Sequence, residues 1–148
     1  MTTTPEFKLN YENKYYIDIT PTAAEPTWAE LAPGITNVTP ATNDVTSEDN
    51  YYDGVGFGET DVTGVKPSFA LSGHRKVGDS AQDYIVSTQY KTGIGRRSHF
   101  KWVNTQGRQM IWPCTIINPV SSGGDAQSKE NFSAEIRTNG APTTDSEA

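Results

Sequence analysis

Residues 98–120 read SHFKWVNTQGRQMIWPCTIINPV, and this stretch decides the fold class of the chain. Its first part alternates along the chain, with Phe100 and Trp102 on one side, which predicts a half-buried β-strand. A turn at Gln106-Gly107 follows, and residues 109–120 predict a second strand that returns antiparallel to the first. The stretch therefore predicts a β-hairpin, and we expect the rest of the chain to extend an antiparallel sheet around it.

Four further segments have the composition or the alternation of strands. They are residues 15–19, 34–39, 66–75 and 129–138. In the third of these segments Phe69 and Leu71 share one face. In the last, Phe132, Ala134 and Ile136 face inward, so both strands are expected to bury one side.

Two other segments and one proline refine this outline. Residues 79–90 predict a helix, with Asp79 or Ser80 as its N-cap and an apolar stripe that lies on the sheet. The stripe consists of Ala81, Tyr84, Ile85 and Thr88. Residues 26–31 predict either one helical turn or a short packing bracket. Pro113, inside the second strand of the hairpin, predicts an edge or a bulge at that point.

Residues 41–64 break the strand pattern, because they are acidic and glycine-rich and show little periodicity. A structureless loop of this length is uncommon in a compact domain unless it is functional or disordered. Disordered segments are poor in aromatic residues, whereas this one contains Tyr51, Tyr52 and Phe57. We therefore expect a long loop that becomes ordered on a partner.

The length of 148 residues fits a single domain. Residues 1–14 and 139–148 are polar and predict an arm at each end. The single cysteine, Cys114, excludes an intramolecular disulfide and suits a reducing compartment. No stretch approaches the ~20 apolar residues of a membrane helix, and residues 1–9 lack a signal-peptide pattern. We therefore expect no membrane partner.

Charge is distributed unequally along the chain. Between Lys14 and Lys66 there are nine acidic residues and no lysine or arginine, whereas residues 66–137 hold ten basic and five acidic residues. Such asymmetry concerns partners rather than fold, and the simplest partner is another copy of the chain, arranged head to tail. The net charge of −6 argues against tight binding to DNA phosphates.

Catalytic and metal-binding patterns are weak in this sequence. His74 and His99 stand in no metal-ligand spacing, so we predict no metal, no cofactor and no enzyme activity. Cys114 could act as a nucleophile beside a histidine. The favoured interpretation is a buried cysteine that packs as a small hydrophobic residue.

A glycine pattern, Gly54-x-Gly56-x-Gly58, could be taken for a phosphate-binding loop. Such a fingerprint must follow a strand and open a helix, and here the acidic flanking residues Asp53 and Glu59 oppose anion binding. We interpret these glycines as allowing unusual backbone angles or close contact with another chain.

Six segments stand in a specific order along the chain, although none is a strong motif by itself. They are WAELAPGIT at 28–36, YDGVGFGETDVTG at 52–64, FALSGHR at 69–75, DSAQDYI at 79–85, FKW at 100–102 and GGDA at 123–126. Together they resemble the major tail protein of long-tailed siphophages, and are most similar to the versions from phages of Gram-positive bacteria. The resemblance covers about residues 28–142.

The resemblance implies a mainly β fold: an antiparallel β-sandwich or partly closed barrel with one flanking α-helix and a long inter-subunit loop. It implies a structural virion protein whose six-subunit rings stack into a hollow tube that conducts DNA during ejection. The implied partners are other copies of the chain, the tape measure protein in the lumen, and the tail terminator and distal tail proteins at the ends. DNA passes without specific binding. The implied location is the phage tail, with assembly in the host cytoplasm.

From the charge separation we predict that the acidic, aromatic loop of one subunit contacts basic residues of a neighbour, since aromatic residues and arginines are the usual interface anchors. The predicted contact residues on the loop are Asp44, Glu48, Asp49, Tyr51, Tyr52, Asp53 and Phe57. Those on the basic side are Arg75, Lys76, Arg96 and Arg97.

Three alternatives remain open from the sequence. The first is the tube subunit of a phage tail-like bacteriocin. A carbohydrate-binding β-sandwich would need an exposed aromatic platform, which would have to come from Trp28, Trp102 and Trp112. A small hydrolase would need paired carboxylates from Asp53, Glu59 or Asp61.

Overall fold

The computed structural model describes residues 4–146. Within these residues the chain forms ten β-strands, one α-helix and three short 3-10 turns. The strands are β1 (Lys14–Asp18), β2 (Trp28–Glu30), β3 (Ile35–Ala41), β4 (Val45–Asn50), β5 (Gly58–Gly64), β6 (Ser68–His74), β7 (Arg97–Val103), β8 (Gln109–Val120), β9 (Asn131–Thr138) and β10 (Thr144–Ser146). The helix α1 spans Ser80–Ser87, and the turns span Asn10–Glu12, Tyr52–Gly54 and Gly93–Arg96.

Eight strands form one antiparallel sheet in the order β2-β1-β7-β8-β9-β6-β3, with β10 beside β8. The β7–β8 hairpin lies near the middle, where its register runs from Arg97 opposite Thr115 to Val103 opposite Gln109. The hairpin predicted from residues 98–120 is therefore confirmed. The other two strands, β4 and β5, pair with each other apart from this sheet.

The sheet curls until its two end strands approach each other. β2 and β3 lie at opposite ends of the strand order, yet only residues 31–34 connect them. Five Cα–Cα steps reach at most ~18 Å, whereas a flat sheet would separate these strands by ~29 Å at ~4.8 Å per strand. The curl also brings Phe69 of β6 within 4.7 Å of Phe100 of β7, measured between ring centroids. The predicted partly closed barrel is confirmed.

The core fills the concave side of the curled sheet. Five aromatic rings pack there with centroid separations of 4.7–6.3 Å: Tyr15, Phe69, Phe100, Trp102 and Trp112. Leu71, Phe132 and Ile136 are buried around them. The inward faces predicted for these strands are therefore confirmed, because a period-two pattern reports burial directly when one face of a strand meets water.

The single helix of the described residues flanks the sheet against β8 and β2. Asp79 is its N-cap, and its carboxylate accepts from the backbone N–H of Gln82 at 3.1 Å. Thr88 ends the helix earlier than predicted, because both its N–H and its hydroxyl bond back to the carbonyl of Ile85. Among the described residues no helix is long and apolar enough to cross a membrane.

Gln82 is a fully buried polar residue that the stripe pattern did not reveal. Its Nε2 donates to the carbonyls of Pro33 (2.9 Å) and His74 (3.1 Å), and its Oε1 accepts from the N–H of Lys76 at 2.7 Å. The side chain thereby joins the helix to the loop after β2 and to the end of β6. Gly34 allows this close packing, since a Cβ there would lie 2.9 Å from Nε2 of Gln82.

Residues 28–30 form strand β2 rather than the helical turn that was one of two expectations for this segment. Ala29 is buried opposite Ile17 of β1, while Glu30 points to solvent. This alternation has the period of a strand. The bracket interpretation is closer to the structure, because the strand packs Leu31 into the core.

Pro113 pairs with His99 of β7 without a break in register, so the predicted bulge is absent. On its other side Pro113 has no strand partner, so the predicted edge is present there, in a strand that is otherwise interior. Along that side, β8 pairs with β9 from Cys114 onward and with β10 up to Ile111. Pro113 falls between these two partners. Proline has no N–H to donate, and neither β9 nor β10 pairs at this position, so no hydrogen bond between described strands is lost. Its carbonyl accepts from the N–H of Asn139 at 2.7 Å.

The polar ends differ from the simple arms expected. In the C-terminal segment, Thr144–Ser146 forms strand β10, which pairs with the part of β8 that β9 does not reach, and the N–H of Thr143 donates to the carbonyl of Ile111 at 2.7 Å. Residues 4–9 have no regular secondary structure and are exposed. The outermost parts of both predicted arms, residues 1–3 and 147–148, lie outside the described residues.

Candidate functional site

The segment at residues 41–66, called here the hairpin arm, is exposed along almost its whole length. Strands β4 and β5 pair from Thr46 opposite Val62 to Asn50 opposite Gly58. The long loop expected at residues 41–64 is therefore a β-hairpin. The apolar alternation is missing because almost every side chain on both faces is exposed, and a strand without a buried face shows no period.

Asn43 fixes the base of the hairpin arm. Its φ of 49° lies in the left-handed region, which asparagine tolerates. Its Nδ2 donates to the carbonyl of Lys66 (3.0 Å) and to Oγ of Ser68 (2.9 Å). The N–H of Lys66 donates to the carbonyl of Thr42 at 2.9 Å. These bonds tie the arm to the start of β6.

The tip of the hairpin arm presents large apolar side chains to solvent. Tyr52 is 107% exposed, Val55 82% and Phe57 80%. Val55 also adopts a φ of 52°, which is strained for a β-branched residue. An isolated two-stranded hairpin is only marginally stable in water, and an exposed apolar cluster is typical of an interaction surface.

One face of the hairpin arm is strongly acidic. Asp49 lies directly opposite Glu59, and Ser47 lies opposite Asp61, so three carboxylates share that face. Like charges directly opposite one another destabilise a strand pair. The remaining predicted acids are all exposed as well: Asp44, Glu48 and Asp53. A cationic partner surface would relieve the repulsion within the acidic face, which is defined here as Asp49, Glu59 and Asp61.

Arg75 is engaged within its own chain. Its Nη2 donates to Oδ1 of Asp83 at 2.7 Å, and only 10% of its side chain is exposed. Its Nη1 donates to the carbonyl of Lys76 and to Oε1 of Gln82. The hydrogen bond from Arg75 lowers the pKa of Asp83. Arg75 therefore fastens the start of the helix and is not placed as a free contact residue.

Arg96 is also engaged internally, at the other end of the helix. Its guanidinium donates to the carbonyls of Gln89 (2.6 Å), Lys91 (2.8 Å) and Ile116 (3.4 Å). These bonds hold the turn after the helix against β8. Of the predicted basic contacts, Lys76 and Arg97 are the two that the structure leaves exposed.

The histidine and the cysteine considered for chemistry, His99 and Cys114, have structural roles. His99 Nδ1 lies 3.1 Å from Oδ2 of the buried Asp18, whose other oxygen accepts from the N–H groups of Thr20 and Thr27. This set of hydrogen bonds fastens the loop between β1 and β2.

Cys114 is buried, and desolvation raises its pKa to about 12, so it stays a thiol and packs as the sequence predicts. In residues 4–146 no group of His, Cys, Asp and Glu is arranged to hold a metal ion.

The tryptophans do not form a platform for carbohydrate. Trp112 is buried and Trp102 packs in the core, with its Nε1 donating to Oδ1 of Asn13. Trp28 is half-buried on the outer face, where the ammonium of Lys101 lies 4.8 Å from its ring centroid. The carboxylates considered for hydrolysis lie on the exposed hairpin arm, where water surrounds them.

No family model matches the chain, and no curated protein matches it in sequence. Solved structures match it in fold. A chain from the tail of an empty gene transfer agent particle, refined with helical and C6 symmetry, has a TM-score of 0.72 and 13% identity over 93% of this chain and 98% of that one. A chain from the virion of a native gene transfer agent particle has a TM-score of 0.72 and 12% identity over 95% and 99%. The tube-terminating cap of the anti-feeding prophage has a TM-score of 0.60 and 14% identity over 100% and 96%.

These matches span nearly the whole of each chain, so this chain has the fold of particle tail proteins. The mainly β, barrel-like fold with one flanking helix that the sequence resemblance implied is thereby confirmed. The matched chains come from a particle tail, a virion and a tube-terminating cap.

Proposed function

We propose that this chain is the tail tube subunit of a phage or phage-related particle, a structural virion protein that assembles with copies of itself. The observation that carries the proposal is the fold match to a chain from a gene transfer agent tail and to one from a gene transfer agent virion, each at a TM-score of 0.72, over 93% and 95% of this chain. The exposed hairpin arm supports it, because its aromatic tip lacks a partner within residues 4–146 of one chain.

In this proposal six copies form a ring, and rings stack into a hollow tube that conducts DNA during ejection. Support comes from the C6 symmetry stated for one matched tail, and from interfaces that close by rotation into rings and stack into filaments. The net charge of −6 suits a conduit that DNA passes without sticking. The mechanism is assembly and conduction, with no bond-making step.

The hairpin arm is proposed as the inter-subunit contact. Its predicted residues remain the candidates on that side, since all of them are exposed. On the basic side Lys76 and Arg97 stay candidates, whereas the internal bonds of Arg75 and Arg96 favour a role in the monomer. The remaining proposals follow the sequence resemblance: a siphophage of a Gram-positive host, with tape measure, terminator and distal tail proteins as partners. The tube of a phage tail-like bacteriocin would need the same self-assembly of one subunit, so it stays an alternative.

The match to the anti-feeding prophage cap favours a second candidate, a ring that terminates a tube. The full coverage of this chain supports it, and the lower TM-score of 0.60 makes it the weaker of the two.

Negative-stain microscopy of the purified full-length chain, at increasing protein concentration, tests both candidates. We expect hollow tubes that lengthen with concentration. Six-fold rings that never stack would favour the cap, and a monodisperse monomer at every concentration would contradict both.

A further inference from the structure

Strand register places two exposed arginines in one cross-strand row on the outer face of the sheet. Arg97 of β7 lies opposite Thr115 of β8, and Thr115 lies opposite Arg137 of β9. Residues in such a row point to the same face of the sheet, so the two arginines are about 10 Å apart at two strand spacings. They are separated by 40 positions in the sequence and meet only through the fold.

The same row continues to the base of the hairpin arm. Arg137 lies opposite Ser68 of β6, beside the exposed Lys66. Lys66, Arg137, Asn43 and Glu135 surround a shallow cavity of about 280 Å³. Arg97, Arg137 and Lys66 are called the basic row.

The cations of the basic row are largely unneutralised. Arg137 Nε donates to Glu135 at 2.7 Å, and among the described contacts its two Nη groups have no partner. In residues 4–146 the side-chain nitrogens of Arg97 and Lys66 likewise have no hydrogen bond or ion pair. Half-buried Pro113 and Ile117 lie on the same face beside Thr115, so the row borders an apolar strip.

The acidic face of the hairpin arm matches this row in charge and spacing. Asp49 and Glu59 are directly opposed, with Cβ atoms about 5 Å apart, and Asp61 lies two residues along β5, about 7 Å further. Three carboxylates therefore cover a length similar to that between the two arginines. Within one chain β4 and β5 pair only with each other among the described strands, and their side chains are exposed.

We propose that the acidic face of the hairpin arm of one copy docks across the basic row of a second copy. The inference rests on the proposed function, in that it requires the chain to polymerise. The aromatic tip then contacts the second copy beyond the row. The arm begins where the row ends, so each copy carries both halves of the contact and the contact repeats from copy to copy.

Two complementary variants test this docking. The row variant carries Arg97→Glu and Arg137→Glu, and the arm variant carries Asp49→Lys and Glu59→Lys. Each variant alone brings like charges together, so we expect neither to form tubes. In an equimolar mixture the arm of each variant meets the oppositely charged row of the other, so we expect tubes to form again.

A matched control carries Lys91→Glu and Lys129→Glu, which make the same charge change at exposed positions outside the row. We expect it to form tubes like the unaltered chain. Tubes from the row variant alone, or a mixture that stays unassembled while both variants are folded, would overturn the docking and leave the proposed function intact. Failure of the unaltered chain to assemble would instead count against the proposed function.

Circular dichroism and thermal melting establish that each variant is folded. If a charge reversal prevents folding, the neutral pair Arg97→Gln and Arg137→Gln replaces the row variant. It removes attraction without adding repulsion, so we expect its critical concentration for assembly to rise about tenfold or more, as for loss of buried charge pairs at other interfaces. An unchanged critical concentration would overturn the docking.

Discussion

Gln82 is the residue on which the join between helix and sheet depends most. It is fully buried and bonds to three backbone groups from two other segments. Replacing it by leucine removes this partner from all three groups, at a cost of about 1–3 kcal/mol for each group that water cannot reach. We expect Gln82→Leu to lower the free energy of unfolding by about 2–4 kcal/mol, measured by urea denaturation.

The control for that measurement is Gln106→Leu, at an exposed turn position. We expect a change within about 0.5 kcal/mol there. A Gln82→Leu protein as stable as this control would show that its three bonds contribute nothing net.

Arg96 and Arg97 are neighbours in sequence with different roles in the structure. Arg96 donates to three carbonyls around the end of the helix, whereas Arg97 is exposed on β7. We expect Arg96→Glu to destabilise the monomer by about 1–3 kcal/mol through the lost bonds, and Arg97→Glu to leave the melting temperature nearly unchanged. Equal melting temperatures for the two variants would contradict this division.

At the scale of elements, we propose that the hairpin arm serves assembly and not the folding of the monomer. Its tip contributes nothing to the core, since Tyr52 and Phe57 are exposed. We expect the double variant Tyr52→Ser and Phe57→Ser to keep the stability of the monomer within about 0.5 kcal/mol and to lose tube formation. Tyr90→Ser is the control, because Tyr90 is 91% exposed and lies outside the arm. Normal tubes from the double variant would exclude the tip from the contact.

Strands and helices that bury one face could be predicted from the sequence. Strands that are exposed on both faces, or that are very short, could not. The alternation of apolar and polar residues around Phe69, Phe100 and Ile136 predicted their strands, and the N-cap residue Asp79 predicted the start of the helix. β4 and β5 bury neither face, so their pairing left no apolar signal. β10 is only three residues long, and it can pair with β8 because β9 does not extend past Cys114 of that strand.

The candidate site shows the same limit. The acidity and aromatic content of residues 41–64 pointed to a contact surface, and the structure gives that surface a defined hairpin. Arg75 and Arg96 were indistinguishable from Arg97 in sequence, because their partners are backbone carbonyls and a carboxylate brought close by the fold. Arg137 joins Arg97 through strand register alone.

At the scale of the whole molecule, the uneven charge predicts a salt-sensitive polymer. Contacts between exposed carboxylates and guanidinium groups weaken as the Debye length falls from ~10 Å at 0.1 M salt to ~3 Å at 1 M. We expect the critical concentration for assembly, measured by sedimentation, to rise with sodium chloride over that range. An assembly that is indifferent to salt would show that apolar contacts alone hold the copies together.

The central claim is that copies of this chain build a six-fold tube through their hairpin arms, and cryo-electron microscopy of the assembled full-length chain tests it most directly. We predict a helical reconstruction with six subunits per ring, a hollow lumen, and each hairpin arm in contact with a second copy. A monomer that never assembles, or a polymer whose hairpin arms stand free in solvent, would contradict the account.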